Sequence, residues 1–520
     1  MSSEDVVQTV RQGYAFTGAA LELGCLLSDG TPVTDAQIRV PLGMLNRHGL
    51  VAGATGTGKT KTLQLMAEQL SANGVPVFMA DVKGDLSGVS QPGQPSDKLT
   101  ARTQSIGQSW QATGFPVEYL SLGGQGKGVP VRATITSFGP TLLAKVLDLN
   151  ETQTSSLALV FHFADKAGMA LLDLKDLRAV IQYLVSDEGQ ADLTGLGGLS
   201  KATAGVILRE LIAFSDAGAE VFFGEPEFEV KDLLRNTADG RGIITCLELP
   251  AVQDKPALFS TFLMWMLANL FHDLPEAGDL DKPKLVFFFD EAHLLFKDAP
   301  KAFVDQITQT IRLIRSKAVG VFFVTQSPKD VEDDVLAQLG NRVQHALRAF
   351  TPDDAKALRA AASTFPNSSY DLEELLTKLG IGEAIITVLS ETGAPTPVAW
   401  TRLRAPQSLM GPAPDAAIDA TVAASPLLAE YGQAIDRESA YERLQSKLAP
   451  SPSATQESAP AAPAPREAAP RSAPQQDQGG GAGAIIGEVV QSSAFKSFLR
   501  SAGTVLGREV TRSIFGTSRR

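Results

Sequence analysis

The stretch "LVAGATGTGKT", residues 50–60, decides the fold. Gly53, Gly58, Lys59 and Thr60 fit G-x-x-x-x-G-K-[ST], the Walker A pattern, without a gap. Glycines at 53, 56 and 58 let the backbone curl so that several N–H groups point inward. With the N-terminus of a following helix they form a nest for phosphate. On this reading Gly53, Ala54, Thr55, Gly56, Thr57, Gly58, Lys59 and Thr60 line the phosphate cradle of ATP. Lys59 reaches the β- and γ-phosphates and the Thr60 hydroxyl binds Mg²⁺. The context fits: "GLVA" reads as the end of a buried strand, and Leu63, Met66, Ala67 and Leu70 follow at helical spacing, with Gly74 at the helix end. A chance glycine-rich turn would have neither flank.

The bulk numbers bound what surrounds this loop. The chain has 520 residues, enough for about two to three domains and tails. Hydrophobic residues make up 44%, which suits a large core. Net charge is −12, from 58 acidic and 46 basic residues, so any contact with nucleic acid must be local. The two cysteines, Cys25 and Cys246, lie in apolar runs with no CxxC, which fits a reducing compartment. The start "MSSEDVVQTVRQGY" lacks an apolar signal region. No stretch reaches the ~18 apolar residues of a membrane span. The expectation is a soluble, cytoplasmic protein.

Outward from the loop, the chain divides by composition. Residues 1–40 hold short strand-like pieces around "SDGTP", expected to pack against the edge of the main domain. Residues 41–100 carry the phosphate loop and a second strand, "VPVFMA", ending in "DVKGDLSG". Residues 101–240 read as a mostly helical insertion with few clear strands. From 241 to 405 strand–helix alternation resumes with "GIITCLEL", "KLVFFFDEAHLLF", "VGVFFVTQ", "RVQHALRAF" and "GEAIITVL". Such apolar runs between helices predict a mainly parallel sheet buried on both faces. Residues 406–448 read as a helical extension, and 449–483, with seven prolines, as a disordered linker. Residues 484–520 read as a basic amphipathic helix, in which Phe495, Phe498, Leu499, Ala502, Val505 and Leu506 form one stripe. A protein partner is the expected contact of that helix, ahead of membrane or nucleic acid.

"KLVFFFDEAH", residues 284–293, supplies the second half of a nucleotide site. Leu285 to Phe289 form a central strand, and Asp290 and Glu291 emerge at its carboxyl end. Asp290 is placed to hold Mg²⁺, and Glu291 to orient and deprotonate a water. Two acids at a helix N-terminus would be the bland alternative. In "VGVFFVTQSP", Gln326 ends a third strand, where it would sense the γ-phosphate; otherwise it caps a loop before Pro328. Arg312 and Arg315 share a face at a helix end. Arg315 is the first candidate for an arginine delivered between subunits, with Arg342 and Arg348 behind it. His48 reads as structural, and His345 as lying mid-strand. No His/Cys cluster has metal-ligand spacing.

Together "RHGLVAGATGTGKT", "DVKGDLSG", "FFFDEAHLLF", "VFFVTQSPKDV", "LRAFTPDDAKAL" and "GEAIITVL" resemble the HerA-like branch of the HerA/FtsK P-loop ATPases, and within it the YjgR-type HerA-like helicases. "LNETQTSSL", "DLKDLRAV" and "FFGEPEFEVKDLL" in the insertion, and the C-terminal "SFLRSAGTVLGREVTRSIFG", share the likeness. The resemblance implies an α/β RecA-like P-loop NTPase core of the ASCE type. It assigns nucleotide phosphates to Gly58, Lys59 and Thr60, and metal and catalysis to Asp290 and Glu291. It assigns sensing to Gln326 and the trans arginine to Arg315. It also implies a homo-oligomer, a hexameric ring, with nucleotide between subunits and action on DNA. A ring ATPase that remodels or anchors protein partners, with the C-terminal helix as its docking arm, is the rival expectation. Glu291 argues against a nucleotide-dependent switch with little turnover, which needs no such residue.

Overall fold

The computed structural model describes residues 2–448, apart from 194–195, 279 and 297–300. The expected linker at 449–483 and amphipathic helix at 484–520 lie outside the described residues.

Among the described residues, twelve strands form one sheet. In chain order they are β1 (Ala20–Ser28), β2 (Thr31–Pro41), β3 (Gly49–Ala52), β4 (Val77–Asp81), β5 (Val117–Leu122) and β6 (Val129–Val131). Then come β7 (Ile244–Glu248), β8 (Leu285–Phe289), β9 (Val319–Thr325), β10 (Asn341–Gln344), β11 (Glu383–Thr387) and β12 (Ala399–Leu403). Their order across the sheet is β2-β1-β12-β11-β10-β3-β9-β8-β4-β7-β5-β6. From β10 to β6 every pairing is parallel. From β10 to β2 every pairing is antiparallel.

The parallel strands are apolar because both faces are covered. β4, β7, β8 and β9 are buried at every position. Alternate residues serve two cores, as the period of a strand requires. Phe287 and Phe289 join the cluster beneath the helices Ile135–Val146, Glu151–Lys166, Pro256–Asp273 and Lys301–Ile314. Val286 and Phe288 join the cluster against Leu63, Met66 and Leu70 of the helix Lys59–Ala72. Aromatic contacts tie neighbouring strands: Phe287 stacks on Phe78 with centroids 4.2 Å apart, and Phe289 on Phe323 at 5.3 Å.

Three features depart from the sequence reading. Residues 3–13, expected among strand-like pieces, form a helix capped reciprocally by Ser2 and Asp5. The stretch 101–240 is not simply a helical insertion, because β5 and β6 extend the main sheet. Their polar positions hid them. Glu118 is buried, with its Oε2 2.7 Å from Arg235 Nη2, and Ser121 Oγ donates to the Gly128 carbonyl at 3.0 Å. Pro130 is tolerated because β6 is an edge strand. Finally, β11 runs antiparallel to β10 although it is buried throughout. Burial on both faces does not encode direction. The chain instead reverses through the helices Pro352–Ser363 and Leu372–Lys378, which close a small separate core over Ile385.

Candidate nucleotide site

The phosphate loop bridges β3 and the helix Lys59–Ala72, as its sequence requires. Gly53, Gly56 and Gly58 have φ of 154°, 78° and 118°. Only glycine adopts these without strain. At Gly53 space is also short, since a Cβ there would lie 2.5 Å from His345 Cβ. The loop is pinned to its neighbours. Gly53 N donates to Thr325 O, Ala54 N to Ala346 O and Gly382 N to Thr57 O, at 3.2, 2.8 and 2.9 Å. Lys59 Nζ donates to the carbonyls of Gly53 and Ala54 at 2.6 and 3.2 Å. Burial lowers the Lys59 pKa from the usual lysine value, against the pull of the Glu291 and Asp290 charges. Thr60 is half-buried in the first turn of the helix.

Strand order brings the acidic pair to this loop. β9 lies between β3 and β8, and all three run parallel, so their carboxyl ends converge. Asp290 and Glu291 leave the end of β8, and Gln326, exposed, follows the end of β9. Gln326 is adjacent to Thr325, whose carbonyl holds the first loop glycine. Burial, and then the Glu291 charge, push Asp290 up to about 7. A cation is the partner that favours the ionised form of such a carboxyl, so Asp290 with the Thr60 hydroxyl fits a divalent ion.

Glu291 is buried and has φ of +50°, an uncommon backbone state for a side chain of its kind. Its Oε1 is 2.5 Å from Lys83 Nζ. Its Oε2 is 3.3 Å from His293 Nδ1, a close approach without hydrogen-bond alignment. Burial raises the Glu291 pKa, but Lys83, then His293 and Lys59, outweigh it and leave the carboxyl below the usual glutamate value.

Lys83 was legible only as part of "DVKGDLSG", without a role. The signal was its place just past the carboxyl end of a buried strand, where a parallel sheet keeps its polar chemistry. Asp81, in the same segment, is buried and accepts the backbone N–H groups of Gly84, Asp85, Leu86 and Ser87 at 2.6–3.1 Å. It fixes the turn that follows Lys83. Asp81, Cys246 and Glu248 form a buried group of three candidate metal ligands among the described residues, unseen in linear spacing. Asp81 is already committed to four N–H donors. Burial, and then Asp81, push Glu248 up to about 8, so it holds a proton at neutral pH. With both oxygens engaged by backbone N–H groups, Asp81 serves the turn after Lys83.

The arginines separate. Arg315 is exposed just before β9 begins, at the opposite end of the sheet from the phosphate loop. A strand of this length puts it ~20 Å from that end. Arg342 is occupied by the carbonyls of Thr364 and Leu339 at 2.8 and 3.3 Å. Arg348 is exposed on the phosphate-loop side, two residues past Ala346. His345 does not lie mid-strand but follows β10, and its Nε2 is 2.9 Å from Thr62 Oγ1 beneath the loop. His48 is structural: its Nδ1 accepts from Val321 N at 3.1 Å, and its Nε2 lies 2.8 Å from Ile311 O.

Among the described residues, no helix is long and apolar enough to cross a membrane. The DNA double-strand break repair helicase HerA of Sulfolobus acidocaldarius is 21% identical over 394 residues, covering 74% of this chain and 69% of that protein. The protein of the same description from Sulfurisphaera tokodaii is 22% identical over 383 residues, covering 70% and 68%. Among solved structures, the unbound monoclinic form of the bacterial conjugative coupling protein TrwBdeltaN70 matches with a TM-score of 0.50 at 16% identity. The match covers 79% of this chain and 94% of that one, a likeness of fold. The core is therefore RecA-like, of the P-loop NTPase class. A family model described as "Helicase HerA-like C-terminal" matches residues 27–520, and on that span the chain belongs to the HerA-like helicase C-terminal family.

Proposed function

We propose that this protein is an Mg²⁺-dependent ATPase that works as a ring motor on DNA. One observation carries the ATPase reading: β9 sits between the phosphate-loop strand and the acidic strand, so Lys59 and the Asp290–Glu291 pair meet at one end of the sheet. The loop N–H groups and Lys59 bind the phosphates, and Thr60 and Asp290 hold the metal. When bound, Mg²⁺ supplies charge neutralisation of the β- and γ-phosphate oxygens. Glu291 orients a water and accepts its proton, and Gln326 reports on the γ-phosphate. Arg315 lies out of reach of its own loop, which supports delivery to a neighbouring subunit. DNA as the track rests on the names of the HerA relatives.

The test is binding to duplex DNA across a salt series, with and without a non-hydrolysable ATP analogue, beside ATPase rates with and without DNA. The expected result is nucleotide-dependent affinity that falls linearly in log–log form as salt rises, because phosphate contacts release counterions. No binding at low salt and no DNA stimulation of hydrolysis would remove DNA from the reading and leave the ATPase.

A further inference from the structure

Glu291 faces two groups at once. Lys83 Nζ takes Oε1 at 2.5 Å, and His293 Nδ1 stands 3.3 Å from Oε2. Lys83 therefore holds Oε1, one of the two oxygens through which Glu291 could take a proton from water, while His293 Nδ1 makes no hydrogen bond to Oε2. Lys83 differs from Glu291 in freedom. The Lys83 side chain is 54% exposed and that of Glu291 11%. The backbone after Lys83 is anchored by the four N–H groups that Asp81 accepts. Glu291 has its own N–H on Asp290 Oδ1 at 2.9 Å and its carbonyl on Leu294 N at 2.9 Å. Both ends of the pair are therefore fixed at the main chain, and only side-chain torsions of an exposed lysine hold it closed. The positive φ of Glu291 adds backbone strain of the kind that collects at switching positions.

We infer that Lys83 is a positioning residue that restrains Glu291, and that turnover requires the Lys83–Glu291 pair to open. The inference rests on the reading of Glu291 as the general base. Opening needs no backbone change: the Lys83 side chain swings toward solvent and Glu291 Oε1 turns to the attacking water. The restraint has the size of a partly exposed ion pair, so it slows turnover by about five-fold.

The experiment measures steady-state ATP hydrolysis by the full-length protein for Lys83→Met, Lys83→Arg, Glu291→Gln and the double variant Lys83→Met/Glu291→Gln. Lys83→Met should raise kcat about five-fold while KM stays within about two-fold, because the restraint acts on the base and not on nucleotide binding. Lys83→Arg, which keeps the charge and reach, should return kcat toward the wild-type value. The double variant should be as slow as Glu291→Gln alone, since the gain travels through Glu291. A kcat for Lys83→Met that is unchanged or lower overturns the restraint. So does a large rise in KM, which would make Lys83 a nucleotide ligand. Should Glu291→Gln hydrolyse ATP at the wild-type rate, the general-base reading itself fails, and the restraint with it.

Discussion

The two ends of the parallel sheet behave differently. At the carboxyl ends of β3, β4, β8 and β9, Lys59, Lys83, Asp290 and Glu291 crowd together and shift one another's proton affinities. At the amino ends, two buried side chains are tied into the structure around them. His48 is held between Ile311 O and Val321 N, and Glu118 pairs with Arg235. The contrast has a physical source. Parallel strands followed by helices place the N-termini of those helices, and their unpaired N–H groups, at the carboxyl end. That end gathers anions and the residues that handle them, while the other end needs only to be sealed.

Arg315 also stands at the amino end, and it carries the largest expected effect. Arg315→Ala should assemble normally yet lose about 10³–10⁵-fold in kcat, the range for an arginine delivered to a γ-phosphate. Mixing Arg315→Ala with Glu291→Gln subunits should recover part of the activity, because some interfaces then combine both intact halves. Steady-state ATPase rates on the mixtures decide the matter. A fully active Arg315→Ala protein leaves the amino end purely structural and moves the role toward Arg342 or Arg348.

The active end is tested by Glu291→Gln, which should keep nucleotide binding and lose about 10²–10⁴-fold in turnover, since an amide accepts no proton. Fluorescent-nucleotide binding beside single-turnover hydrolysis separates the two effects. Loss of binding as well would make Glu291 part of the cradle rather than the base.

Glu118 and Glu248 sharpen the comparison most finely, because they sit on neighbouring strands at opposite ends. Glu118 has its arginine, whereas Glu248 has Cys246 Sγ at 3.4 Å and Asp81 nearby, with the Lys127 charge acting weakly against them. Glu248 rises from 4.5 to about 8. Below the lower value both folded and unfolded chains hold the proton. Between the two, the unfolded chain releases it and the folded chain keeps it, so stability falls as pH rises through this window. Glu248→Gln should remove that loss and be more stable than wild type at pH above 8, by on the order of 2–4 kcal/mol. Urea denaturation at an acidic and an alkaline pH measures it. Identical slopes for the two proteins would mean that Glu248 ionises without cost.

What could be read in advance was local. The phosphate loop was legible because its eight positions are contiguous and its glycines each meet a backbone demand that only glycine meets. The strands β8 and β9 were legible because burial on both faces forces an unbroken apolar run. β5 escaped because a buried glutamate reads as surface until its arginine, 117 positions away, is known.

The sequence by itself determined the loop, the acidic strand and the class of fold. Those properties depend on backbone geometry and apolar periodicity within a few neighbouring positions. Tertiary structure alone decided that β9 separates the loop from the acidic pair, that β11 turns antiparallel and that Arg315 stands at the far end of the sheet. It alone set Lys83 against Glu291, which are 208 positions apart. Strand order and long-range charge pairing are settled by how whole layers pack, and no short window of residues contains that information.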